Sequence, residues 1–260
     1  METTLIITDL TRMSGARVCI AGVTPEKRCI RPVFENGKIT ENWLYQNGQV
    51  VIRPFARVLI DTLRAYPQSP HTEDWIIRPD FKQILGTLTE DEKQSFLEEI
   101  LDPGVENIFG APVHSDHGYF LREGEGNRSL GTIRVKQMLS VTHRYHPQED
   151  KWDYRIEFVD ENGCAFNLSV TDLAFRYYVD HLRIQQGLSC NHIGGQLVQQ
   201  LHYSQAVYLR IGLTRPTWQK WPHCCFLQIN GVYSFPDYLK GRCFADFASQ
   251  PSKSSSRVLI

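Results

Sequence analysis

The sequence predicts a β-rich α+β protein, mainly strands with a few helices, folded as two small barrels packed in one chain. Three observations predict it. Asn-Gly, a dipeptide that favours the left-handed geometry of hairpin turns, occurs four times, at Asn36, Asn47, Asn162 and Asn230. Residues 152–171 hold two period-two runs, with Trp152, Tyr154, Ile156 and Phe158 on one side of a short Gly loop and Cys164, Phe166, Leu168 and Val170 on the other. That pattern is a hairpin with one buried face. Finally, about five strand-like runs fall in each half with a helix interposed, which fits two small barrels better than one doubly wound sheet.

The elements follow in order. Strands over 4–9 and 17–23 flank a polar turn at 11–15, and a third over 28–33 follows Thr24-Pro25-Glu26-Lys27. Residues 50–52 and 56–63 add two more. Thr89, with Glu92 three residues on, reads as a capping box opening a helix to Leu101, stopped by Asp102-Pro103-Gly104. This helix lies in an acidic insert at about 80–119. Gly124-Glu125-Gly126-Asn127 is the natural junction between an N-terminal unit at 1–122 and a C-terminal unit at 128–247. The second unit opens with a strand over 132–143 and continues with the hairpin. A helix over 172–186 then carries Ala174, Tyr178 and Leu182 on one face and ends at Gly187. His192-Ile193-Gly194-Gly195 reads as a turn, either plain or phosphate-contacting, before a short helix over 196–201. Strands at 206–213 and 224–229 and a short return at 232–235 complete the unit, and 248–260 reads as a flexible tail.

Composition narrows the class. The chain has 260 residues, 42% hydrophobic and 22% charged, with a net charge of -1, which excludes a mainly disordered protein. No apolar run approaches the roughly 18 residues of a membrane span, and no secretory leader can be drawn, so a soluble cytoplasmic protein is expected. Seven cysteines without regular spacing are expected as reduced, mostly buried thiols. The charge is segregated. Residues 80–119 hold two Lys/Arg against nine Asp/Glu, whereas 184–260 hold seven against two. Arg outnumbers Lys, 19 to 9, and Arg is the better fork for phosphate and for carboxylate.

Several motifs, taken as a set, resemble a known family. They are Thr8-Asp9-Leu10-Thr11-Arg12-Met13-Ser14-Gly15, Val18-Cys19-Ile20-Ala21-Gly22, Arg28-Cys29-Ile30-Arg31-Pro32 and Pro70-His71-Thr72-Glu73-Asp74. Near the end come residues 209–216, Leu-Arg-Ile-Gly-Leu-Thr-Arg-Pro, and residues 228–238, from Gln228 to Tyr238. Over residues 3 to 245 the chain resembles the prokaryotic dual OB-containing domain. The resemblance implies two OB-like barrels and, by analogy of fold, nucleic-acid or nucleotide recognition among mobile-element and defence gene clusters. It brings no catalytic residues.

The candidate residues follow from how such barrels bind. A positive groove tracks the backbone and aromatic side chains stack on bases. Arg12, Arg17, Arg31, Arg210 and Arg215 are the candidate phosphate contacts, with Thr214 donating a hydrogen bond and Trp218 and Tyr233 stacking. The competing account has Asp9, Glu73, Asp74 and Asp237 pairing these arginines inside the fold while the aromatics fill two cores. The preferred reading is a non-enzymatic module for single-stranded nucleic acid or a nucleotide, acting beside a nuclease, helicase or modification enzyme. An alternative is a metal-assisted hydrolase using His71, Glu73, Asp74 and Asp9. A third is a scaffold whose acidic helix and basic C-terminal face dock separate proteins. No Walker loop, nucleophile elbow, dinucleotide fingerprint or repeated Cys-x-x-Cys occurs, so no cofactor and no metal are expected.

Overall fold

Alternation builds the first barrel in the computed structural model, which describes residues 1–216 and 219–248. Its strands are β1 (Glu2–Arg12), β2 (Val18–Val23) and β3 (Cys29–Val33), then a small ribbon of β4 (Tyr45–Gln46) and β5 (Gln49–Val50), then β6 (Ala56–Ala65) and β7 (Asp74–Thr87). Leu5, Ile7, Ile20, Ile30, Val58, Ile60 and Ile77 are buried in the core. The ribbon turns at Asn47-Gly48, both at positive φ (51° and 77°), as a two-residue hairpin turn demands. The barrel runs β1-β2-β3-β7-β6 and closes from β6 back to β1. Only β3 and β7 are parallel, with Arg31 opposite Asp74.

The second barrel repeats this order. After α1 (Glu90–Glu99) and β8 (Phe120–Arg122) come β9 (Leu130–His146), β10 (Lys151–Asp160) and β11 (Ala165–Val170). Two helices, α2 (Leu173–Ile184) and α3 (Cys190–His202), precede β12 (Ala206–Leu213) and β13 (Cys224–Phe235). The barrel runs β9-β10-β11-β13-β12 and closes between β12 and β9, with β11 and β13 parallel. Counted within each barrel the order is 1-2-3-5-4 both times, a structural repeat that no fixed sequence period announces. β8 adds outside this ring, antiparallel to β13. It therefore belongs to the second sheet although it falls inside residues 1–122. One continuous core runs through both barrels.

Four elements differ from the sequence reading. Residues up to Thr87, placed in the acidic insert, are strand. Pro79 interrupts the apolar pattern there, and it sits in a bulge, since Ile60 pairs with Lys82 but Thr62 pairs with Ile77. Secondly, Asn230-Gly231 is no hairpin turn: β13 runs straight through it, with a bulge opposite Arg210 and Ile211. A Cβ at Gly231 would lie 2.8 Å from the Tyr233 hydroxyl, so this glycine answers to close packing. Thirdly, α3 is one helix from Cys190 and absorbs the presumed turn. Lastly, of the seven cysteines, all without disulfide partners, only Cys225 is fully buried.

Gly194 shows why the glycine pair belongs in a helix. A Cβ there would lie 2.4 Å from the Val141 carbonyl oxygen, whereas one at Gly195 meets nothing within 4 Å. Gly194→Ala is therefore expected to cost about 1–3 kcal/mol in overpacking. Gly195→Ala should instead gain up to about 1 kcal/mol of helix propensity. Urea midpoints of the two variants check this, and equal midpoints would remove the close helix–strand approach as the cause.

Candidate nucleic-acid interface

An OB barrel binds ligand on the outer face of its second and third strands, flanked by the loops joining strands 1–2 and 4–5. In the first barrel that face is covered. Ala21, Val23 and Arg31 are buried, and Arg210 of β12 crosses from the second barrel onto it. The Arg210 guanidinium donates to Asp9 Oδ2 from Nε at 3.0 Å and to Thr132 Oγ1 from Nη1 at 2.8 Å. Its Nη2 lies 2.9 Å from Asp9 Oδ2 and 3.9 Å from Cys29 Sγ. Burial opposes its charge, but Asp9 beside it holds the guanidinium pKa above its ordinary value. Burial also pushes the Cys29 thiol up to about 12.

The rest of the joint is equally polar. Arg31 Nε donates to Asp74 Oδ1 at 2.6 Å, and Arg215, from just beyond β12, pairs with Asp74 Oδ2. Glu73 accepts the Ser129 N–H at 2.6 Å, the Ser129 hydroxyl at 2.9 Å and the Leu130 N–H at 3.2 Å. The Tyr233 hydroxyl donates to the Thr8 carbonyl at 2.7 Å. α1 closes one side: Phe96 and Leu97 are buried with Val23, Phe55 and Tyr208, and the Tyr208 hydroxyl donates to Glu98. The acidic side chains of the helix stay exposed, with Glu92 on Arg57 and Glu99 on Lys27 in surface pairs.

The arginines singled out in the sequence therefore separate. Arg31 (4% exposed) and Arg210 (2%) face carboxylates, and their burial keeps them from a phosphate in solvent. Arg12 and Arg17 are half-buried at the β1–β2 loop. Arg12 lies over the Tyr177 ring and 3.6 Å from Asp180, while Arg17 Nε donates to the Ser14 carbonyl. Thr214 and Arg215 are half-buried on the loop between β12 and β13. Tyr233 is buried at the barrel joint, edge-on to Phe55 at 4.6 Å; Trp218 lies outside the described residues.

The hydrolase set fares differently from its sequence proximity. Glu73 and Asp74 are each saturated by the contacts above. His71 is 2% exposed and its ring nitrogens lack well-formed partners. Burial first, then the Arg31 and Arg215 charges, push the His71 pKa down to about 2. Among the described residues no three His, Cys, Asp or Glu side chains converge so as to hold one ion.

On the corresponding face of the second barrel the outward side chains are half-buried rather than covered by the first barrel. Arg155 of β10 pairs across to Ser169 of β11, and Ser169 to Gln228 of β13. Two residues along β13, Phe226 stands opposite Phe120 of β8, their rings 5.7 Å apart. All these side chains alternate with the core residues Ile156, Leu168 and Leu227, so they share the outer face. Arg155 lies flat, donating to Asn167 Oδ1, the Asn167 carbonyl and Ser169 Oγ, and among the described residues it has no carboxylate partner. His114 packs on Phe120 at 5.3 Å, and His117 on Trp221 at 4.9 Å on the flanking loop. The exposed Arg122, 3.7 Å from Glu125, stands opposite Cys224 at the edge. Sequence reasoning passed over Phe120, Phe226 and Arg155. The period-two hairpin already put Arg155 on the polar side, but only the pairing of β11 with β13 brings it to one surface with Phe226.

The comparison with known families agrees with two closed barrels of identical strand order. Residues 3–232 match the family model of the dual OB-containing domain. The chain belongs to the dual OB-containing domain family. No curated protein matches it. Family membership and geometry agree on a protein of two OB barrels, the fold the sequence predicts, and among the described residues no helix is long and apolar enough to cross a membrane.

Proposed function

We propose that this dual OB-containing domain binds single-stranded nucleic acid on the outer face of its second barrel. The observation that carries the reading is the Phe120–Phe226 pair beside Arg155, a guanidinium without a carboxylate among the described residues, on the face where OB barrels take ligand. Bases stack on the two rings. Arg155 and Arg122 neutralise phosphates on either side of them. Thr214 and Arg215 lie on the adjoining loop, where the Thr214 hydroxyl accepts the Phe226 N–H and keeps its own hydrogen to donate. Arg12, Arg17, Arg31, Arg210 and Tyr233 have no part in this surface. The chain supplies recognition, and a partner enzyme of the nuclease, helicase or modification class supplies chemistry.

Fluorescence anisotropy with labelled single-stranded DNA and RNA, at about 50 and about 200 mM salt, tests it. Binding should weaken with salt. Phe226→Ala should weaken it by about 5–150-fold, the equivalent of about 1–3 kcal/mol of stacking. Arg155→Gln should reduce the salt slope by about 0.7, one phosphate contact on a single strand. Binding unchanged in both variants would remove this face from consideration.

A further inference from the structure

A cavity of about 230 Å³ opens where the first barrel, α1 and the second barrel meet, at the other end of β13 from Phe226. Its wall is aromatic and apolar, with Phe55, Tyr233, Phe235 and Leu239. Its polar groups are unequal. The acids are already answered. Asp172 Oδ1 accepts the N–H groups of Ala174 and Phe175, and Oδ2 that of Val232; Asp237 accepts those of Leu239 and Gly241; Glu90 pairs with Lys93.

The arginines are not. Arg53 has one side-chain bond, a 3.3 Å donation from Nη2 to Thr87 Oγ1, and its Nε is enclosed with nothing to accept its hydrogen. Arg242 lies 4.5 Å over the Phe247 ring and gives Nε to the Leu239 carbonyl, with no carboxylate partner among the described residues. An enclosed charged donor without an acceptor is costly and calls for a missing partner. Here that partner is an anion.

We propose that this cavity is a second ligand site and that it takes a nucleoside monophosphate. The volume, below the roughly 300 Å³ at which pockets for whole drug-sized ligands begin, encloses the base, and the ribose and phosphate lie toward the mouth, where Arg242 is exposed. The ring enters among Phe55, Tyr233 and Phe235, and the phosphate accepts hydrogen bonds from Arg53 and Arg242. The site stands on its own residues, whatever the Phe226 face binds.

Isothermal titration of the full chain with each of the four common ribonucleoside monophosphates, and with a nucleoside and inorganic phosphate separately, tests it. At least one monophosphate should bind at least tenfold more tightly than either part. Arg53→Gln should weaken that binding at least tenfold. Arg242→Gln, at an exposed side chain, should do so as well while keeping the circular dichroism of the parent. Phe226→Ala should leave it unchanged. Absence of monophosphate binding overturns the proposal, as does equal binding of phosphate alone or indifference to both arginine variants.

Discussion

Arg210→Met is expected to destabilise the protein by about 3–5 kcal/mol, the usual cost of removing one partner from a buried ion pair. The substitution strands Asp9, which is 1% exposed and has its Oδ1 without a partner even in the intact protein. Thr132 Oγ1 loses its donor too. For a chain of this size the melting temperature should fall by about 6–20 °C. The double variant Asp9→Leu with Arg210→Met removes both charges, and most of the loss should return, because apolar replacement of a buried pair is often neutral. A double-mutant cycle by urea denaturation measures the coupling. A single variant within 1 kcal/mol of the parent would show that the pair does not hold the barrels together.

His71 gives the second large effect, on acid stability. Its folded pKa of about 2 lies far below the ordinary 6.5, so the unfolded chain binds a proton between these values that the folded chain cannot. Stability from this group is present above about pH 6.5 and is lost as pH falls, by about 1.4 kcal/mol per pH unit. Asp172 runs the other way. Burial raises its pKa to about 6 from 3.8, so its contribution is present below about pH 4 and is lost as pH rises to about 6. The two slopes oppose each other between about pH 4 and 6, and the parent protein hides both. His71→Gln should therefore gain on the parent by about 2–3 kcal/mol between pH 6.5 and 4.5. Asp172→Asn should gain on the parent as pH rises over its own window. Parallel pH profiles for His71→Gln and the parent would refute the buried neutral imidazole.

Strands that hide one face from water were legible, because alternation is written residue by residue. The β10–β11 hairpin follows from it directly, whereas the strand at 206–213, buried on both faces, was legible as an apolar run. β7 was not legible, since most of its outer half is exposed and a proline stands in its bulge. The arginines show the limit for sites. Sequence chemistry correctly named carboxylate partners as a competing fate, but Asp9 and Arg210 stand 201 residues apart. Only the docking of two barrels decides which guanidinium meets acid. The face on the second barrel was hidden for the same reason, because Arg155, Phe226 and Phe120 become neighbours only through the β11–β13 and β13–β8 pairings.

The covered face of the first barrel fixes a stoichiometry. Two OB barrels in series would occlude twice the length of strand that one does. With Arg210 locked across β2 and β3, the proposed reading leaves a single barrel for the strand and makes the first its pedestal. The occluded site should be about 4–16 nucleotides, the span of one OB fold. Doubling an oligomer beyond that length should seat a second protein molecule and leave the grip of the first no tighter.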